Sequence, residues 1–319
     1  MPRFKSGLVR MAVLSIVLAM GAAACGDDGG TGSGGTSGLS GTIRIDGSST
    51  VAPLSESAAE LFQAENPDVR VTVGTSGTGG GFQKFCNGEI DIADASRPIK
   101  QSEIDACTAK ALKYDELTVA NDGLSVVVNP SNTWAKCLTV EQLKAVWAPD
   151  STVNNWNQVD PSFPNEKLEL FGAGTDSGTF DYFTEAINGK AGASRTDYNA
   201  TEDDNVTVNG VSGTKGGLGY LGLSYVEQNE GKIVALEING GGGCVAPSTK
   251  TVQDTTYQPL GRPLFVYATA AAIARPEVQA FLKFYIDNAG EIAEQALFVP
   301  MTPAETANSH AKIEALTTS

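Results

Sequence analysis

The sequence predicts an α/β protein of two lobes, each a mostly parallel central sheet flanked by helices, joined by a two-segment hinge. Three observations carry this. A strand, a turn of small residues and a helix follow one another repeatedly from residue 42 onward. The chain beyond its N-terminal region, about 41–319, is long enough to split into two compact halves. Two strand-like apolar runs, 117–129 and 263–269, stand far apart, so one can carry the chain into the second lobe and the other return it. A single crossing between two beads is the alternative.

Arg3, Lys5 and Arg10 precede an uncharged apolar run over 11–20 that is too short to span a membrane. This is the form of an export signal over 1–24. Gly21-Ala22-Ala23-Ala24-Cys25 resembles the lipobox of bacterial lipoproteins, with Cys25 as the lipidated residue and Ala22 where Leu is usual. The plain alternative is an ordinary cleavage site. Residues 26–40 are mostly Gly, Ser and Thr with almost nothing to bury, so 25–40 reads as a lipidated cysteine and flexible tether.

The first lobe is expected over 41–122 plus 267–319 and the second over 123–266. A strand at 42–46 leads into a helix with apolar residues at Val51, Leu54, Ala58, Leu61 and Phe62; Pro53 falls in its first turn, where proline is tolerated. Strands follow at 69–73 and 90–93, with a glycine-rich turn over 74–81 and a short helix over 82–87 between them. Thr139-Val140-Glu141-Gln142 has the spacing of a capping box and opens a helix through Trp147. The second lobe continues with a strand at 168–171, a turn over 172–177 and a helix over 178–188. Residues 189–217 read as loop, 219–226 and 232–238 as short strands. Helices over 276–287 and 291–297 return to the first lobe.

Removing Arg3, Lys5 and Arg10 from the 22 basic residues leaves 19 against 37 acidic ones, a formal charge of −18. That balance disfavours nucleic acid and anionic lipid as partners. Four cysteines remain after Cys25, without a CxxC unit, and His310 is the single histidine, so a metal site is not expected. In an exported protein they read as two disulfides, Cys86–Cys107 and Cys137–Cys244, each contributing about 3 to 5 kcal/mol; four buried free thiols are the alternative.

Three turns share one character: Gly47-Ser48-Ser49-Thr50, Thr75-Ser76-Gly77-Thr78-Gly79-Gly80 and Asp176-Ser177-Gly178-Thr179. Each follows a strand and opens a helix. There the first backbone N–H groups lack partners and the helix dipole is positive, so an anion is favoured. Taken singly, each is an ordinary N-cap; three facing one cleft are a site. Phosphate-loop and dinucleotide spacings are absent, and Ser177 has no nucleophile-elbow glycines at −2 and +2.

Ile45-Asp46-Gly47-Ser48-Ser49-Thr50-Val51, Ser76-Gly77-Thr78-Gly79-Gly80-Gly81-Phe82, Asp91-Ile92-Ala93-Asp94-Ala95-Ser96-Arg97-Pro98-Ile99, Gly174-Thr175-Asp176-Ser177-Gly178-Thr179-Phe180 and Pro259-Leu260-Gly261-Arg262-Pro263-Leu264 resemble the phosphate-binding proteins of bacterial high-affinity phosphate ABC transporters. The likeness runs in order through nearly the whole chain after the signal. It implies a periplasmic-binding-protein fold of type 2, closing over inorganic phosphate and delivering it to the membrane permease of an ABC transporter, with no cofactor and as a monomer anchored by lipid to the cell membrane. Thr50 and the Val51 N–H are implied as donors from the first turn, Thr78 from the second, and Ser177, Gly178 and Thr179 from the third. Ser49, Ser76 and Gly79 are neighbouring alternatives.

Two positions depart from the better-known branch, where Asp follows the Ala-Ser pair and Arg precedes the Ser-Gly-Thr turn. Here Arg97 follows Ala95-Ser96, and Ala173 takes the other place. Arg97 offers a planar fork to two oxygens, with a salt bridge as its alternative role. The missing carboxylate would accept the proton of hydrogen phosphate, which sulfate lacks; Asp176 is the first candidate to replace it, followed by Asp46 and Asp94. Another tetrahedral oxyanion (sulfate, molybdate or arsenate) is the alternative ligand, and a phosphatase-like enzyme or a surface adhesin the alternative class.

Overall fold

The structure is a computed structural model and describes residues 38–318. The expected signal, Cys25 and most of the tether lie outside the described residues. Among the described residues there are twelve strands: β1 (Gly41–Gly47), β2 (Val69–Gly74), β3 (Ile92–Ala95), β4 (Tyr114–Val128), β5 (Cys137–Thr139), β6 (Glu169–Ala173), β7 (Asn199–Thr201), β8 (Gly217–Gly222), β9 (Val234–Ala235), β10 (Glu237–Asn239), β11 (Cys244–Val245) and β12 (Gly261–Thr269). The main sheet runs β2-β1-β3-β12-β4-β8-β6-β7, with β9 also on β4; β11-β10-β5 form a small second sheet.

Both ends of the main sheet are parallel, β2-β1-β3 on one side and β8-β6-β7 on the other. Between them lie the two long strands, antiparallel to each other from Gly261↔Gly123 to Thr269↔Tyr114. Each serves two cores. Leu117 and Val119 of β4 pack with Ile43, Leu54 and Phe281, whereas Leu124 and Val126 pack with Trp147, Phe183 and Tyr220. Leu264 and Val266 of β12 belong to the first core, and Leu260 just before it to the second. The chain thus crosses twice between two halves.

Asn121-Asp122-Gly123 does not interrupt β4: the Asn121 backbone and the Asp122 carboxylate have partners on neighbouring segments. Asn121 forms a two-way backbone bridge with Val299, Asp122 faces Arg262, and Gly123 lies against Val252, where a Cβ would come within 2.7 Å of Cγ2.

Elsewhere the local pattern was overridden. The glycines of the second turn lie inside helix Gly77–Cys86, since Gly81 abuts Gly47 so closely that a Cβ would sit 2.6 Å from its Cα. Residues 189–217 are not all loop: they hold β7 and helix Asp204–Gly213, capped by Asp203 and buried through Val208 and Val211. Gly210, a poor helix former, lies under the Phe171 ring, so packing outweighs propensity. The strand expected at 219–226 stops at Gly222, and Leu223–Gln228 is helical. Further helices extend the expected set, the longest of them Gln101–Ala109 and Pro303–Thr317, the latter opened by a Thr302/Glu305 capping box. Both expected disulfides are present: Cys86–Cys107 staples two helices and Cys137–Cys244 ties β5 to β11.

Candidate functional site

The first turn is shaped by β1 ending against β3. Gly47 has φ +145°, and a Cβ there would meet the Asp94 carbonyl at 2.1 Å, so only glycine fits. The chain then folds back: Ser48 N–H donates to that carbonyl at 2.9 Å, Ser48 Oγ accepts from Thr50 N–H at 3.2 Å, and Val51 N–H donates to the Ser48 carbonyl at 3.2 Å. Helix Ala52–Glu65 starts there, with Pro53 in its first turn.

The second turn is held by Asp46, which accepts from Ser76 N–H at 2.9 Å, Ser76 Oγ at 2.7 Å and Lys84 Nζ at 2.5 Å. Burial pushes this carboxyl up, but those bonds win and hold it below its ordinary value. Asp46 is therefore occupied as a turn anchor. Thr78 Oγ1 accepts from Ser96 N–H at 3.2 Å and lies 3.1 Å from Ser96 Oγ, which joins the second turn to the end of β3.

In the third turn Ser177 caps helix Gly178–Asn188 by accepting from Thr179 N–H at 3.1 Å. Gly178 abuts the first turn: a Cβ on it would lie 2.7 Å from Thr50 Oγ1. Asp176 is exposed, with its N–H directed at Glu202, and its side chain does not line the cleft.

These pieces enclose a polar cavity of about 250 Å³. Ser49, Thr50, Thr78 and Arg97 of the expected residues line it, with Gly79; helix Gly178–Asn188 contributes Asp181, Tyr182 and Glu185. Val51 is buried beneath the first turn, and Ser177, Gly178 and Thr179 are brought near through the Gly178–Thr50 contact rather than as lining. Arg97 makes a two-pronged ion pair with Glu103, at 2.7 and 2.9 Å. Burial pushes the Glu103 carboxyl up, yet the bonds from Arg97 and the Lys100 N–H hold it below its usual range.

Arg262 was not assigned a role from sequence, although it stood in the Pro259–Leu264 motif as an arginine starting the return strand. Its guanidinium donates to the Ser96 carbonyl at 2.9 Å, faces Asp122 and Thr50 Oγ1 at 3.3 and 3.4 Å, and stacks over Tyr182 at 3.4 Å from the ring centroid. Burial raises the Asp122 carboxyl more than Arg262 lowers it. Asp94, behind the first turn, is fully buried; burial pushes it up to about 8 although Ser55 donates to it at 2.8 Å, so it is mostly neutral at pH 7 and adds little negative charge behind the cavity. The Cys137, Glu237, Cys244 cluster offers no thiolate, because both sulfurs are in a disulfide.

Two halves joined by paired strands around a polar cleft ringed by helix starts define a solute-binding receptor fold. A PBP superfamily domain matches residues 32–289. Protein SphX of Synechococcus elongatus is 50% identical over 262 residues, 81% of this chain and 77% of that one. The phosphate-binding protein PstS of Staphylococcus saprophyticus is 37% identical over 293 residues, 91% of this chain and 89% of that one. A solved structure described as a possible phosphate binding protein from Planctomyces limnophilus superposes with TM-score 0.85 at 46% identity, covering 88% of this chain and 99% of that one. An ABC-type phosphate transport receptor from Vibrio cholerae shares the fold, with TM-score 0.66, 23% identity, and coverage of 82% and 100%. The chain belongs to the PBP superfamily and, within it, to the family of the phosphate-binding protein PstS.

Proposed function

We infer that the protein is a receptor, without turnover, that binds inorganic phosphate outside the cytoplasm and delivers it to the membrane permease of an ABC transporter. The observation that carries this is the convergence of Thr50, Thr78 and Arg97 on one polar cavity, with the Ser177-Gly178-Thr179 turn set against Thr50. The phosphate-binding relatives support the same reading. The first lobe takes residues 41–122 and the chain from about Leu264 onward, the second takes the segment between them, and β4 and β12 form the hinge. Phosphate docks on the first lobe, where Ser49, Thr50 and Thr78 offer donors and Arg97 adds charge. Closure then adds the start of helix Gly178–Asn188, whose fixed N–H dipoles offset the cost of dehydrating the anion.

Asp181 and Glu185 are the carboxylates in the cavity lining, and one of them accepts the proton of hydrogen phosphate; Asp176 stands outside it. Export by residues 1–24 and lipidation of Cys25 would hold the receptor, a monomer, at the membrane face. Titration calorimetry with phosphate and with sulfate at one pH tests the reading. Tight binding of phosphate and weak binding of sulfate is expected; equal affinity, or none for phosphate, would refute it.

A further inference from the structure

We propose that Arg262, at the point where the two crossing strands meet, is a direct ligand of the bound anion and the residue that couples its capture to closure. The proposal rests on the phosphate reading above and identifies a cation that the motifs did not assign.

Two arginines line the cavity, and their bonding separates them. Arg97 gives both terminal nitrogens to one carboxylate, Glu103, at 2.7 and 2.9 Å, and Nη1 also donates to the Pro98 carbonyl. Its fork is matched by a fixed negative charge of the same half, so its remaining pull on an anion is largely electrostatic. Arg262 makes one short bond, to the Ser96 carbonyl at 2.9 Å, and its other contacts are long: 3.3 Å to a single Asp122 oxygen from both Nε and Nη2, and 3.4 Å to Thr50 Oγ1 from Nη2. Nη2 is thus aimed at the Thr50 hydroxyl with only weak partners, and it is the donor an oxyanion beside Thr50 can take.

The position of Arg262 makes it more than another charge. It lies on β12 directly across from Asp122 on β4, so the pair bridges the hinge strands. It touches Thr50 and Ser96 of one half and stacks on Tyr182 of the other. Its side chain is 14% exposed, and it also borders an adjoining, mostly apolar pocket of about 260 Å³ with Pro98, Pro259 and Pro263. Burial of the guanidinium strengthens its attraction for an anion in front of it. An anion drawn onto Nη2 would hold the fork flat against Tyr182, so the same side chain senses the ligand and grips the second half.

The test is titration calorimetry of wild type, Arg262→Lys, Arg262→Met and Tyr182→Leu with phosphate, sulfate and molybdate, alongside thermal unfolding without ligand. For the anion that wild type binds most tightly, R262K and R262M are expected to lose roughly 10- to 100-fold in affinity, the range for losing a charge-assisted bond. Y182L is expected to lose about 2- to 30-fold, as for a cation–π partner. The unliganded unfolding midpoint of R262K should stay near that of wild type, which separates ligand contact from a structural role. Wild-type affinity in R262M, or in R262K if R262M does not fold, would overturn the proposal. If wild type prefers sulfate or molybdate, the phosphate reading fails while the arginine is judged on that anion; if it binds none of them, both fail.

Discussion

Replacing Gly178 by alanine tests whether the first and third turns close on each other. The added Cβ falls 2.7 Å from Thr50 Oγ1 and 3.1 Å from both its Cα and its backbone nitrogen, well inside contact distance. Overpacking of this kind costs about 1 to 3 kcal/mol. All three contacts run between the halves joined by β4 and β12, so the strain is relieved by opening the hinge rather than by unfolding. The cost therefore falls on the closed form, and phosphate affinity should drop by roughly 5- to 150-fold. In the open form alanine suits a helix better than glycine, by up to about 1 kcal/mol, so unliganded stability should hold or rise slightly. Calorimetric titration with phosphate, paired with thermal unfolding, reads both quantities. Unchanged affinity, or a loss of affinity matched by an equal loss of unliganded stability, would refute the reasoning.

Other predictions follow from the same geometry. Asp94 has its carboxyl raised by burial to about 8, so the folded chain binds more protons than the unfolded one between about pH 4 and 8. Its contribution is fully present below about pH 4 and fades as pH rises, by up to about 1.4 kcal/mol per unit. Asp94→Asn should flatten that slope in urea titrations at pH 5 and pH 8, and an unaltered slope would count against a neutral Asp94. Thr50→Val keeps the shape but removes the hydroxyl, and should weaken phosphate binding by about 1 to 3 kcal/mol in calorimetry. Arg97→Ala should weaken it by about 1.5 to 3 kcal/mol if the charge acts on the ligand. Replacing Cys86 and Cys107 by serine should lower unfolding stability by about 2 to 5 kcal/mol in urea titrations.

Short-range chemistry made much of the molecule legible from sequence. Strand–turn–helix repeats, the capping box at Thr139 and the two long crossing runs depend on neighbours a few residues apart or on simple length and polarity. So does the character of the three turns, because a helix start flanked by Ser, Thr and Gly announces its own unpaired N–H groups. Helix Asp204–Gly213 escaped notice because its sequence is Gly- and Asn-rich, and only the fit of Gly210 beneath Phe171 makes it hold.

Which carboxylates face the cavity, and that a second arginine does, was decided by tertiary structure. Asp176, beside the third turn in sequence, is exposed, whereas Asp181 and Glu185, one and two helical turns farther on, line the cleft. Arg262 arrives from 212 residues beyond Thr50. No local pattern encodes such meetings: a side chain's partners across a sheet are set by strand order and register, and those emerge only when both cores pack.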